Sequence, residues 1–287
     1  MKNLVHSLSR VASVPVLTLA LTFSFAYFAP GNLLRGVAAQ SMSPSGSFGF
    51  LITASFNTSA VDATGMAILG VMNFDGTGNV TGSYTYEVDA NRPQAAKTTN
   101  GAFTGTYTTN PDGTGSATIA LDNGISLTLG VVTADGGQSL QLVATDFQFP
   151  PATCACNIGR AVLSGFARPA PAGSLNGSYG FVLNNLPNVN ANFGVAKFDG
   201  AGNVTVSINF VGASDNNGQP TPAIPGTQTG TYAVNPDGTG TINLPAVPGV
   251  INTQTFALVV TDNGSGFLLI QTDRAGNGVS FGTARLQ

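Results

Sequence analysis

The sequence predicts an all-β fold of two tandem antiparallel up-and-down barrels, each of about eight strands. Three observations lead there. The chain repeats itself in order, its apolar residues alternate with period two, and short turns of Asp, Asn and Gly punctuate it at close intervals.

The repeat organises everything else. GSFGF at Gly46–Phe50 returns as GSYGF at Gly177–Phe181, and FDGTGNVT at Phe74–Thr81 returns as FDGAGNVT at Phe198–Thr205. TGTYTTNPDGTG at Thr104–Gly115 returns as TGTYAVNPDGTG at Thr229–Gly240. Asp146 then matches Asp273, and Arg168 matches Arg285. Order is kept while the spacing drifts from 131 to 117 residues, so the length differences sit in loops. Self-similarity of this kind marks a duplicated structural unit. The predicted organisation is a signal peptide over 1–39, one barrel over 44–169, a Pro-rich linker at 170–173 and a second barrel over 174–287.

Within each copy the pattern is that of a half-buried strand. Val80, Tyr84, Tyr86 and Val88 fall on one face of NVTGSYTYEV, and Thr81, Ser83, Thr85 and Glu87 on the other. The second copy repeats this with Val204, Val206, Ile208 and Phe210. Runs between turns place strands of the first copy near 46–54, 67–74, 79–88, 101–109, 115–121, 125–133, 138–146 and 159–168. Hairpin connections make a meander, and eight strands can close on themselves and remove their exposed edges. A two-sheet sandwich is the alternative, less suited because Greek-key crossings need long connections at particular places.

An up-and-down chain alternates its connections between the two barrel ends. One end collects short turns: Asp75–Asn79, Asn110–Gly115 and Ala134–Gly137, then Asp199–Asn203, Asn235–Gly240 and Asp262–Gly266. The other collects longer, Pro- and Asn-rich connections at 57–65, 89–100, 147–158, 184–192, 213–228 and 245–252. Loops on a rigid scaffold carry binding, which makes the second end the expected mouth. Arg168 and Arg285 fall at the stitched end, away from Asp146 and Asp273, and read as solvated strand ends.

Composition narrows the chemistry. Lys2 and Arg10 precede an uncharged apolar run over 11–29, and Val37-Ala38-Ala39 follows as a small-residue cleavage pattern. That reads as export, to the outside, the periplasm or the cell surface, with a retained membrane anchor as the alternative. Cleavage removes His6, the only histidine, and Lys2, Arg10 and Arg35 from ten basic residues. None of the thirteen acidic residues goes, so the mature net charge is about −6. A nucleic-acid surface needs a basic footprint, which is missing. A Ser-His-Asp triad and a His-ligated metal both need histidine. Glu87 is the only glutamate, so no Glu–Glu pair exists. The expectation is no enzyme, no cofactor, no nucleic-acid partner and no membrane span in the mature chain.

The Asp-Gly-x-Gly runs supply one carboxylate each and lack the lysine of a phosphate cradle; calcium is the alternative only if the turns at one barrel end pool Asp75, Asp112 and Asp135. Asp-Gly tolerates the positive φ of hairpin turns, and that is their expected role. Cys154 and Cys156 lie in a segment of the first copy that the second lacks. In an oxidising compartment they read as a small-ring disulfide, with free or intermolecular thiols as the alternative. The aromatic candidates are Tyr84, Tyr86, Phe103 and Tyr107 in the first lumen, with Phe210 and Tyr232 in the second. They are either a packed core or the lining for one small molecule, which a barrel of eight strands can hold.

The blocks G-[SA]-[FY]-x-F, F-D-G-x-G-N-V-T and T-G-T-Y-x-x-N-P-D-G-T-G resemble a group of repeat proteins exported by bacteria, over nearly all of the mature chain. The resemblance implies a secreted β-domain and assigns no activity. TGTY followed by a turn is similar to avidin, and the meander to lipocalins. Avidin pockets rely on tryptophans and lipocalins on a Gly-x-Trp, and this chain has no tryptophan. Neither family's ligand carries over. The sequence therefore predicts an exported non-enzymatic binding module for a small or apolar ligand; the alternative is a structural or adhesive protein that contacts cell-surface components.

Overall fold

The computed structural model describes residues 43–58, 62–88, 97–148, 164–169, 174–186, 191–210, 224–246, 253–273 and 278–287. The expected leader, the Pro-rich linker, Cys154 and Cys156 lie outside them. The first copy forms β1 (Ser45–Thr58), β2 (Asp62–Asp75), β3 (Asn79–Val88), β4 (Lys97–Thr109), β5 (Thr114–Leu121), β6 (Ser126–Ala134), β7 (Ser139–Gln148) and β8 (Ser164–Pro169). The second forms β9 (Asn176–Leu186), β10 (Ala191–Asp199), β11 (Asn203–Phe210), β12 (Ile224–Val234), β13 (Thr239–Leu244), β14 (Gln254–Thr261), β15 (Gly266–Gln271) and β16 (Val279–Leu286).

Each copy is a closed barrel. Every strand pairs antiparallel with its sequence neighbours, and β1 closes on β8 as β9 closes on β16. No strand edge is left open, which removes the template for edge-to-edge association. The sandwich alternative is thereby set aside. Among the described residues, no helix is long and apolar enough to cross a membrane.

At the mouth the strands run further into the expected connections than the sequence predicts, as they also do at Leu186 in β9 and Ile224 in β12. The connection expected at 57–65 is mostly strand, because β1 and β2 run on to the pair Thr58 and Asp62. β4 likewise begins at Lys97 rather than near 101, pairing with Val88. Threonine, frequent in those stretches, suits an extended hairpin as well as a loop, so the loop-favouring Asn, Asp and Gly beside it did not decide the outcome.

Inside each barrel the period-two pattern does its expected work. Phe48, Phe50, Ile52, Met72, Tyr84, Phe103 and Leu129 fill the first lumen, and Tyr179, Phe181, Leu183, Phe198, Ile208, Leu258 and Phe267 the second. Outside, the pattern departs from expectation along one flank. Leu51, Leu69 and Val71 on the outer face of the first barrel are buried against Val259, Leu268, Ile270 and Val279 on the outer face of the second. β15 therefore buries all six of its residues, alternate ones facing its own lumen and the neighbouring barrel. Gly65 permits the approach, since a Cβ there would stand 2.6 Å from the carbonyl oxygen of Leu186 in β9. Thr98 Oγ1 adds a hydrogen bond to the Thr272 carbonyl at 3.0 Å. Glu87, on the outer face beside Ala67, is fully buried. The packing makes one compact unit of the two barrels.

Arg168 and Arg285 are not simply solvated strand ends. Both reach Asp262, in the tight turn between β14 and β15: Arg285 from its own barrel, and Arg168 from the first barrel at 4.0 Å. The counterpart of Asp262, Asp135, instead accepts a hydrogen bond from Ser139 Oγ at 2.7 Å. The duplicated arginine of the first copy has thus been turned toward the second.

Candidate functional site

The turns that carry the repeated aspartates are self-contained. Asp75 accepts from the Thr77 hydroxyl and the Asn79 side-chain amide, each at 2.6 Å, and from the backbone N–H groups of both residues. Those donors hold its carboxyl far below the usual carboxylate range, the Thr77 hydroxyl most strongly. Asp199 repeats the arrangement with Ala201 and Asn203, while Asp112 and Asp237 accept from Thr114 and Thr239. The carboxylates are spent on turn geometry. Among the described residues, no group of three or more His, Cys, Asp or Glu stands where it could hold a metal.

Four of the aromatic candidates come together in the core of the first lumen. Phe103 meets Phe50 edge-on with ring centres 5.9 Å apart, and Tyr107 meets Phe74 at 4.9 Å. At Gly82, the register partner of Phe103, a Cβ would stand 2.5 Å from Phe103 Cζ, so glycine is what lets the ring lie across the lumen. Tyr107 donates to the Pro44 carbonyl at 3.0 Å. Tyr84 donates to Asp122 Oδ1 at 2.7 Å, and the Ala102 N–H donates to Asp122 Oδ2 at 2.9 Å. Burial pushes the Tyr84 and Tyr86 phenols well above the ordinary tyrosine value, with the Asp122 hydrogen bond adding to the effect at Tyr84.

The second lumen shares the floor and departs above it. Tyr232 packs edge-on against Phe198 at 4.9 Å and donates to the Leu175 carbonyl at 2.7 Å, repeating Tyr107, Phe74 and Pro44 of the first barrel. The side chain of Phe210 lies outside the described residues. Above the floor is a cavity of about 20 Å³, counted as space open to the centre of a water molecule. Phe181, Leu183, Val206, Ile208, Leu244 and Leu269 are among its walls, and Gln254 contributes the polar atoms. A volume of that size holds a water or a small apolar group, and nearly all of its surface is apolar.

The reason for the cavity is a set of replacements between the copies. Matched through the repeat blocks and the strand registers, Phe103 corresponds to Gln228, and its partner Gly82 to Val206. Ala54, Ile68, Leu127 and Ala144 correspond to Asn185, Asn192, Gln254 and Gln271. The aromatic plug of the first barrel becomes amide-rich in the second. None of these amides stands out by motif. Comparing the two copies at inward positions alone exposes them, because a polar residue there breaks the rule that lumen positions are apolar.

No protein-family model matches the chain, and no curated protein matches it. Solved structures give distant similarities only. CghA with Sch210972 shares 7% identity, with 84% of this chain and 89% of that chain covered and a TM-score of 0.20. A double mutant of the vaccine antigen Transferrin Binding Protein B from Haemophilus parasuis Hp5 shares 6% identity, over 87% of this chain and 78% of that one, at a TM-score of 0.24. The Myxococcus xanthus hemagglutinin in complex with a3,a6-mannopentaose shares 11% identity, over 83% and 100%, at a TM-score of 0.16. Function is accordingly argued from the chain's own residues.

Proposed function

We propose that the protein is an exported, non-enzymatic binding module whose second barrel accepts a small apolar group in its lumen. The observation that carries this reading is the contrast between two lumens of one ancestry. Above the shared floor the first packs Phe103 edge-on against Phe50, and the second carries Gln228 at the Phe103 position and an apolar cavity lined by Phe181, Val206 and Ile208. A barrel needs no cavity to be stable, and a void costs packing energy, so retention of one favours use. The absence of histidine after His6 and the self-contained aspartate turns support a role without catalysis.

Native mass spectrometry of the protein from its own host tests the proposal. The expected result is a retained small-molecule adduct released on unfolding. Bare protein across preparations, with the cavity unperturbed by added apolar solutes, defeats it. A second reading, a surface protein that packs on its neighbours, is favoured by Val182 and Phe193. These two are register partners on the outer face of β9 and β10, and each stays nearly half exposed. It predicts oligomers in the same spectra.

A further inference from the structure

We propose that the second barrel selects an uncharged amphiphile, taking a short apolar end into the cavity and hydrogen-bonding its head through a collar of amide side chains at the mouth. This rests on the binding reading above and adds the chemistry of the ligand.

The collar consists of Asn185, Asn192, Gln228, Gln254, Gln271 and Ser280. Each lies in phase with lumen residues of its own strand: Asn185 with Leu183 in β9, Gln254 with Phe256 in β14, Gln271 with Leu269 in β15, and Ser280 with Ala284 in β16. Asn192 is in phase with Ala196 and Phe198 in β10, and Gln228 with Tyr232 in β12. Strands in a closed barrel are tilted, so residues at one level are staggered in register. Following the pairings round the barrel brings these six to the mouth side of the cavity, whose walls Leu183, Val206, Ile208 and Leu244 are their direct neighbours on the same strands or across the registers.

The hydrogen bonding of Gln228 is incomplete in an informative way. Ser280 donates to Asn185 Oδ1, and Gln271 Nε2 donates at 3.2 Å to Asp273, an exposed residue just past the end of β15. Gln228 donates through Nε2 to the Pro245 carbonyl at 3.0 Å. Its Oε1 has no hydrogen-bond partner among the described residues, although the side chain is 98% buried at 2% exposure. A buried amide oxygen left without a donor is costly. Position 228 answers to Phe103, so an apolar residue is compatible with this fold at that place. An orphaned acceptor where the sister barrel carries a phenyl ring is the signature of a partner that arrives from outside.

The donor set dictates what that partner is. Amides and a hydroxyl both give and accept hydrogen bonds, which suits hydroxyl, ether or amide groups. No Lys, Arg, Asp or Glu among the described residues of β9–β16 points into the lumen; the exposed rim carboxylate of Asp273 already accepts from Gln271. A charged head drawn into the collar would lose water and find no counter-ion inside the lumen, only the solvated and already engaged Asp273 at its rim, which is unfavourable. The apolar end must be short, since the cavity is about 20 Å³.

Three probes with the same two-carbon tail test the proposal on the mature protein: ethyl glucoside, propanoate and ethylammonium, followed by NMR of side-chain amides and methyl groups. Ethyl glucoside is expected to shift Gln228, Gln254 and the methyls of Leu183 and Ile208, and to bind at least about tenfold more tightly than either ion. Gln254→Leu installs the residue the first barrel holds at this position, and Gln228→Leu removes the orphaned oxygen. Each is expected to weaken the glucoside about tenfold while the fold, read by circular dichroism, is kept. Equal binding of all three probes, or glucoside affinity unchanged in both variants, overturns the collar and leaves the cavity reading standing. Failure of every probe to perturb the second barrel overturns both.

Discussion

The two barrels began as one sequence and now differ most where they face inward at the mouth. In the first, Gly82 makes room for Phe103, whose ring locks against Phe50, and Tyr84 closes the top through Asp122. In the second, Val206 and Gln228 take the Gly82 and Phe103 positions, and an apolar cavity lies below a ring of amides. The floors are alike in both: Phe74 with Tyr107, and Phe198 with Tyr232, at the same 4.9 Å and nearly perpendicular. A duplicated barrel can therefore keep one end as the stabilising core and vary the other. The second barrel also packs on the first along one flank, through Leu268 and Ile270.

Exchanging the residues that distinguish the copies should break the symmetry in one direction only. Phe103→Gln is expected to destabilise the protein by about 3–5 kcal/mol, since it leaves a cavity in a packed lumen and strands an amide there. Gln228→Leu should change stability by less than about 1 kcal/mol in either direction, because loss of the orphaned oxygen offsets loss of the Pro245 hydrogen bond. Urea unfolding of the pair measures both. Equal costs would mean that the second lumen is as tightly specified as the first.

A smaller effect tests how far the second barrel depends on the first. Ile270 is fully buried yet points away from its own lumen, so Ile270→Asp places a carboxylate in the contact between barrels. The expected cost is about 3 kcal/mol, limited because the barrels can part and admit water. Calorimetry should then resolve two unfolding transitions in place of one. A single unshifted transition would show that the flank contributes nothing.

The smallest effect concerns what the copies share. The carboxyls of Asp75, Asp112 and Asp199 are held below their ordinary value of 3.8 by hydrogen bonds from Thr77, Thr114 and Asn203 respectively. A carboxyl whose pKa falls on folding stabilises the fold above its unfolded value and loses that contribution as pH drops toward the folded one. Stability from these turns is thus complete above about pH 4 and declines in stronger acid. Carboxyl-carbon NMR titration should show all three titrating below the ordinary 3.8, in both barrels alike. Ordinary titration near pH 4 would mean that the turns are open in solution.

How much of this was legible beforehand follows from which interactions are local. Period-two alternation of Val80, Tyr84 and Tyr86, and the repeated FDGxGNVT and NPDGTG turns, are set by neighbouring residues, so strands, turns, the duplication and even the closed meander could be read directly from the chain. The packed aromatics of the first lumen were legible for the same reason. The contact between barrels was not. MAILGV at 66–71 and GFLLIQ at 266–271 lack alternation because both of their faces are covered, and a one-dimensional pattern does not say what covers the second face. Nor did it show that Arg168 would leave its own copy for Asp262.

The amide collar lay between these cases. Asn185, Asn192, Gln228, Gln254 and Gln271 are scattered over 87 residues and look like ordinary polar strand positions until the registers turn them inward together. The sequence by itself determined the two barrels and their shared floor, because alternation and turn geometry act locally. Only the tertiary structure decided how the two lumens differ above that floor, because that depends on side chains far apart in the chain meeting across a closed sheet.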